Sequence, residues 1–141
     1  MCRAGFGGER CKLRKCGGEY FIGDKFSSPK HPQYYPDDSD CWYLIRGQPP
    51  YPVGLKLDSL NLEEDSECNL DYIDIYKIFS NNTGSHWKLA CEISSLPRIL
   101  FATEPNLLMV FRSDFAFTDF GFKGTVVSST IINLLHESPS C

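Results

Sequence analysis

Residues 62–76 read LEEDSECNLDYIDIY, and the fold turns on how this stretch is read. Its second half alternates. Asp71, Ile73 and Ile75 fall on one side of an extended chain; Leu70, Tyr72, Asp74 and Tyr76 fall on the other. Alternation of β-branched and aromatic residues predicts a half-buried strand. The same stretch sets six acidic residues around one cysteine, and no Lys or Arg occurs between Lys56 and Lys77 to offset them. Asp71 shares the apolar side with two isoleucines, where a carboxylate is costly unless it is paired or bound to a cation. Asp74 lies on the opposite side, where solvent or hydrogen bonds can satisfy it.

On either side of this strand the pattern repeats. EYFI (19–22), WYLI (42–45), VGLKL (53–57), ILFAT (99–103), LLMVF (107–111) and GFKGTVV (121–127) are further β-prone segments. The separators SSPKHPQYYPDDSD (27–40), GQPPYP (47–52), SNNTGS (80–85) and SSLPR (94–98) are rich in turn formers. No amphipathic helix is evident; IINLLHE (131–137) is too short. Many short strands at such spacing predict an all-β antiparallel sandwich or barrel.

The chain has 141 residues, with 42% hydrophobic and 13% aromatic content, enough for one β-rich domain and a small appendage. A net charge of −4, with only short basic clusters such as KLRK (12–15), argues against nucleic acid. Seven cysteines occur without any C-x-x-C, and His31, His86 and His136 are scattered, so disulfides are expected rather than zinc. Disulfides imply an oxidising, extracellular setting. No apolar run approaches the roughly 18 residues of a membrane span. MCRAGFGGER is not a signal peptide. These features, with the odd cysteine count, predict a piece of a longer secreted protein or an incomplete gene model.

The first cysteines frame CRAGFGGERC (2–11), whose Gly5, Gly7 and Gly8 allow a tight turn anchored by Phe6. This resembles the closing loop of an EGF-like module and implies a Cys2–Cys11 bond; a glycine-rich loop with unrelated cysteines is the plainer alternative. From Cys16 onward the motifs come in order: CGG (16–18), SPKHPQYYP (28–36), C-x-Y-x-I (41–45), ECNLDYIDIY (67–76), Cys91, FRSD (111–114) and GF (121–122). This run resembles a CUB domain, a jelly-roll-like β-sandwich of extracellular proteins. Four positions depart from the family pattern: His31, Tyr43, Leu70 and Glu92, the last standing where Gly is common. The expected division is an EGF-like remnant at 1–15, a CUB domain at 16–128 and a tail at 129–141.

The resemblance implies disulfides Cys16–Cys41 and Cys68–Cys91, each contributing roughly 3 kcal/mol by loop entropy. Cys141 is left over. It also implies a calcium site. In the calcium-binding subset of the family the ligands are a Glu eight residues before the Asp that follows the cysteine, that Asp itself, and the Asp of a late Ser-Asp pair. Here these are Glu63, Asp71 and Asp114, with the Ala116 carbonyl as a further candidate and Tyr35 as a brace. Calcium is a hard cation that takes 6–8 oxygen ligands, which suits this set. Glu64, Asp65 and Glu67 read as surface charge. In such domains the ligating acids also accept a Lys or Arg of a partner protein, so a calcium-dependent interaction module is implied. Phe115 and Phe117, beside Asp114, are either a contact surface or packing residues.

Asn81-Asn82-Thr83 is an N-glycosylation sequon in a turn. No catalytic motif is found: there is no H-E-x-x-H, no G-x-S-x-G and no phosphate loop. His31 and His86, the latter expected at a hairpin tip, read as surface or packing residues. An EGF-like piece running into CGG also resembles the non-catalytic tail of astacin-type zinc metalloproteases, which would recruit substrate. A structural spacer is the remaining alternative.

Overall fold

The computed structural model describes residues 6–7, 13–63, 65 and 67–128. The expected Cys2–Cys11 bond, Cys141, Glu64 and the 129–141 tail lie outside the described residues. Ten strands follow in chain order: β1 (Phe6–Gly7), β2 (Leu13–Tyr20), β3 (Lys25–Ser27), β4 (Ser39–Arg46), β5 (Val53–Asn61), β6 (Tyr72–Ile78), β7 (Gly84–Ala90), β8 (Leu100–Ala102), β9 (Asn106–Arg112) and β10 (Gly121–Ser128). A 3-10 turn, Ile93–Ser95, lies between β7 and β8.

The strands form two sheets, a six-stranded one in the order β1-β2-β4-β9-β6-β7 and a four-stranded one in the order β3-β10-β5-β8. Their inner faces make the core of a jelly-roll-like sandwich. Alternation decides what lies inside. Ile73 and Ile75 of β6 are fully buried, with Tyr72, Asp74 and Tyr76 half-buried on the other side. Likewise Cys41, Tyr43 and Ile45 of β4 and Leu107, Met109 and Phe111 of β9 point inward, whereas Trp42 and Leu89 face out. Aromatic rings fill the centre edge to face: Phe111 lies 5.1 Å from Phe122, and Tyr43 lies 5.6 Å from Phe122. Tyr43, one of the departures from the family pattern, donates its hydroxyl to the Ser27 carbonyl at 2.8 Å.

Three details differ from the sequence expectation. The pairing is antiparallel except between β2 and β4, which run parallel from Arg14↔Ser39 to Tyr20↔Ile45. There Gly17, at φ +104°, leaves no room for a Cβ, which would lie 2.1 Å from the Trp42 carbonyl oxygen. Second, His86 is not at a hairpin tip; it lies inside β7, an unexpected strand, and pairs with Tyr76. Its alternation is broken by a bulge, because Ile75 pairs with Lys88 but Tyr76 with His86, leaving Trp87 as the extra residue. Third, Phe26 forms the short strand β3 with Lys25 and Ser27, ahead of the proline-rich loop.

A second bulge lies in β5. Gly124 pairs with Leu57 and Lys123 with Ser59, so Asp58 is extra. Before it Val53 and Leu55 face inward; after it Leu60 and Leu62 do. The one-residue slip exchanges the inward set and aims the end of β5 at the loops beyond. Two disulfides, Cys16–Cys41 and Cys68–Cys91, are present.

The core makes a sharp prediction. Ile75→Ala should lower unfolding free energy by about 2–5 kcal/mol, whereas Leu89→Ala, on the exposed face of the neighbouring strand, should change it by less than about 0.5 kcal/mol. Urea titration of both variants measures the contrast.

Candidate metal centre

Three carboxylates from distant parts of the chain meet at one end of the sandwich. Glu63, Asp71 and Asp114 each offer an oxygen, and these oxygens all lie within 4.8 Å of one another. Glu63 lies two residues beyond β5, after the buried Leu62; Asp71 precedes β6, and Asp114 lies just beyond β9.

Asp71 is fully buried. Its two oxygens are held from opposite sides: the Tyr35 hydroxyl donates to Oδ2, and the Asp114 backbone N–H donates to Oδ1 at 2.8 Å. The Tyr35 hydroxyl also accepts the Glu63 backbone N–H at 3.1 Å. Tyr35 thus braces the peptide of Glu63 rather than its carboxylate. The ring of Tyr35 is itself buried and stands edge-on to Phe111 at 5.0 Å, so the hydroxyl has little freedom to move.

Asp114 is set by a second network. Ser113 Oγ accepts the Ser39 N–H and donates to the Pro36 carbonyl, both at 2.8 Å, and the Asp114 carbonyl accepts the Asp38 N–H at 2.8 Å. The loop closes at Gly121, whose φ of +88° and contact with Ser28 (a Cβ would lie 1.9 Å from Oγ) admit only glycine. Ala116 donates its N–H to Asp114 Oδ1 at 3.3 Å, tightening the turn.

The electrostatics are one-sided. Asp71 is pushed up to about 6, chiefly by burial and further by the Asp114 charge, against the pull of its two hydrogen bonds. Glu63 is raised by burial first, then by the charges of Asp114, Asp71 and Asp37. Glu63 Oε2 is enclosed and has no hydrogen-bond partner among the described residues. Arg112, two residues before Asp114, turns its Nε to Asp40 at 3.3 Å instead. An all-oxygen donor set with an orphaned enclosed carboxylate oxygen fits a hard divalent cation.

Other acids divide by role. Asp65 does more than carry surface charge, since its carboxylate accepts the N–H groups of Glu67 and Asn69 at 3.3 and 2.6 Å and forms the turn into Cys68. Asp74 meets His86 Nε2 at 2.8 Å on the opposite face, away from the cluster. Asp37, read in the sequence as part of a polar separator, adds to the field at Glu63; the PDDSD run was its only signal. Phe115 and Phe117 are each 81% exposed, so they are surface residues and not core. Asn81 lies in the exposed β6–β7 turn, accepting the Thr83 hydroxyl at 2.6 Å.

Without metal, the raised carboxylates destabilise the fold at neutral pH. A group whose folded pKa is raised contributes stability below its unfolded value and loses it as pH rises through the folded value. For Asp71 that window runs from about 4 to about 6. In chelator the melting temperature should therefore be higher at pH 5 than at pH 7, and Asp71→Asn should flatten that slope.

Comparison with known proteins shows the family of the chain. Residues 16–125 match the model of the CUB domain family. Cubilin of Sus scrofa is 30% identical over 131 residues, covering 87% of this chain and 3% of cubilin. Blastula protease 10 of Paracentrotus lividus is 26% identical over 132 residues, covering 89% of this chain and 21% of that protein. Among solved structures, the MASP-1 CUB2 domain bound to Ca2+ superposes with a TM-score of 0.64 at 25% identity, covering 79% of this chain and 99% of that one. The chain spans only a small part of the relatives it matches in sequence.

Proposed function

The chain belongs to the CUB domain family, and from that premise we propose that it is an extracellular module that binds a partner protein in a calcium-dependent way. The observation that carries this reading is the Glu63–Asp71–Asp114 cluster, with its enclosed Glu63 oxygen lacking a hydrogen-bond partner among the described residues. Glu63, Asp71 and Asp114 would hold the ion, with the Ala116 carbonyl as an additional ligand and Tyr35 as the brace. Bound calcium supplies positive charge that offsets the mutual repulsion of the three acids and orders the loops carrying them. The solved structure of the MASP-1 CUB2 domain bound to Ca2+, to which this chain is similar, supports the assignment.

The partner side of the mechanism rests on the leftover carboxylate oxygens. They would take a Lys or Arg of an extracellular protein as a charge-assisted hydrogen bond, with Phe115 and Phe117 as flanking contact area. Such binding weakens with salt. Two disulfides fit an oxidising compartment, and no helix among the described residues is long and apolar enough to cross a membrane. Asn81, in its exposed turn, would carry an N-glycan in that setting. The sequence similarity to Blastula protease 10 supports one second reading, in which this module recruits substrate for a catalytic domain elsewhere in a longer chain.

Calcium addition should raise the melting temperature of the wild-type protein and leave Asp71→Ala unmoved; equal midpoints in calcium and in EGTA for the wild type would sink the reading. Tyr35→Phe should weaken calcium by about 10–100-fold, the usual effect of losing a supporting partner behind a ligand. Protein made in a secretory host should lose mass on glycosidase treatment, and Asn81→Gln should abolish that loss.

A further inference from the structure

The turn joining β6 to β7 lies at the far end of β6 from Asp71 and carries an aromatic ring with no task in the core. Phe79 is 38% exposed and belongs neither to the core nor to the described side chains packed against it. An isolated apolar residue on a surface is ordinary. This one stands two residues before Asn81, the acceptor of the Asn81-Asn82-Thr83 sequon.

The backbone closes the turn around that spacing. The Phe79 N–H donates to the Thr83 carbonyl at 2.8 Å, and the Asn82 N–H donates to the Phe79 carbonyl at 2.9 Å. Asn82 takes φ +67°, a left-handed conformation that Asn tolerates better than most side chains. Phe79 and Thr83 therefore face each other across the neck of the turn, with Asn81 at its crown. Asn81 Oδ1 accepts the Thr83 hydroxyl at 2.6 Å and the Thr83 N–H at 3.2 Å. Both bonds draw the amide back toward the neck, and both engage the oxygen. Nδ2, the atom that bonds a sugar, is left on the other side of the amide.

We infer that the Phe79 ring seats the first N-acetylglucosamine of an Asn81 glycan, so that glycosylation stiffens the β6–β7 hairpin. This rests on the reading that Asn81 is glycosylated, and adds what holds the sugar. In that modification Nδ2 bonds the anomeric carbon as the lipid diphosphate of the sugar donor leaves, and the amide gives up one proton. One face of the sugar ring presents C–H groups, whose partial positive charge suits the negative face of an aromatic ring. Covering both faces also removes apolar surface from water. The nearby alternative is a shelf of about 240 Å³ where Ser80 meets Pro49, Pro50, Tyr51 and Pro105. The hydrogen bonds of Asn81 run to Thr83, across the neck from Phe79, and not to this shelf.

The test uses the full chain secreted from a eukaryotic host, with its glycan trimmed by an endoglycosidase to the first sugar. Each variant is compared with its own Asn81→Gln counterpart, so that any effect of the variant on folding alone cancels. The glycosylated wild type should melt about 2–4 °C above Asn81→Gln. Phe79→Ala should lose at least half of that difference, while Phe79→Trp and Tyr51→Ala should keep it. By NMR, the sugar C–H protons facing the ring should be shifted upfield in the wild type and not in Phe79→Ala. If mass analysis finds Asn81 unmodified, the glycosylation reading fails and this inference with it. If Asn81 is modified and Phe79→Ala keeps the full melting difference and the upfield shifts, only this inference is overturned. Loss of the difference in Tyr51→Ala instead would place the sugar on the shelf and overturn it as well.

Discussion

A fully buried carboxylate at the head of β6 is the constraint to which the rest of this end of the molecule answers. Asp71 is satisfied by dipoles alone, one from the Tyr35 hydroxyl and one from the Asp114 amide. These two donors bring the proline-rich loop and the loop before β10 to the same point. The Tyr35 hydroxyl passes the constraint on to the peptide of Glu63. Hydrogen bonds favour the ionised carboxylate and burial opposes it; burial is the larger influence, which leaves the site short of positive charge.

The sandwich supplies rigidity where this constraint needs it. The Cys68–Cys91 disulfide fastens the turn ahead of Asp71 to the end of β7. Asp65 shapes that turn through the amides of Glu67 and Asn69, with Cys68 itself at φ +55°. On the other side Ser113 locks the 36–39 segment against the end of β9. The site is held by backbone contacts from several directions, so its carboxylates stay close although they repel.

The parts of this arrangement that were legible in the sequence are those with a clean period. Alternation in residues 70–76 placed Asp71 on the apolar side with Ile73 and Ile75, and that is where it lies. What broke the period was not legible. The Trp87 bulge hid β7 and with it the position of His86. The parallel partnership of β2 and β4 is a matter of long-range topology and leaves no local pattern. Asp65 looked like surface charge, and Asp37 like part of a polar separator, because the hydrogen bonds and fields that involve them come from chain geometry. The Asn61–Glu92 bridge, which sets the 3-10 turn beside the end of β5, is likewise long-range and leaves no local pattern.

The extra residue at Asp58 has a consequence for how this site can change. Because it exchanges the inward and outward sets of β5, the delivery of Glu63 is encoded in chain length rather than in the identity of any ligand. Removing Asp58 would leave all three cluster carboxylates in the sequence and still turn the end of the strand away from the cluster. Two sequences could then share all three acids and differ in whether they assemble, so counting residues between the strand and the glutamate is as informative as matching the acids themselves.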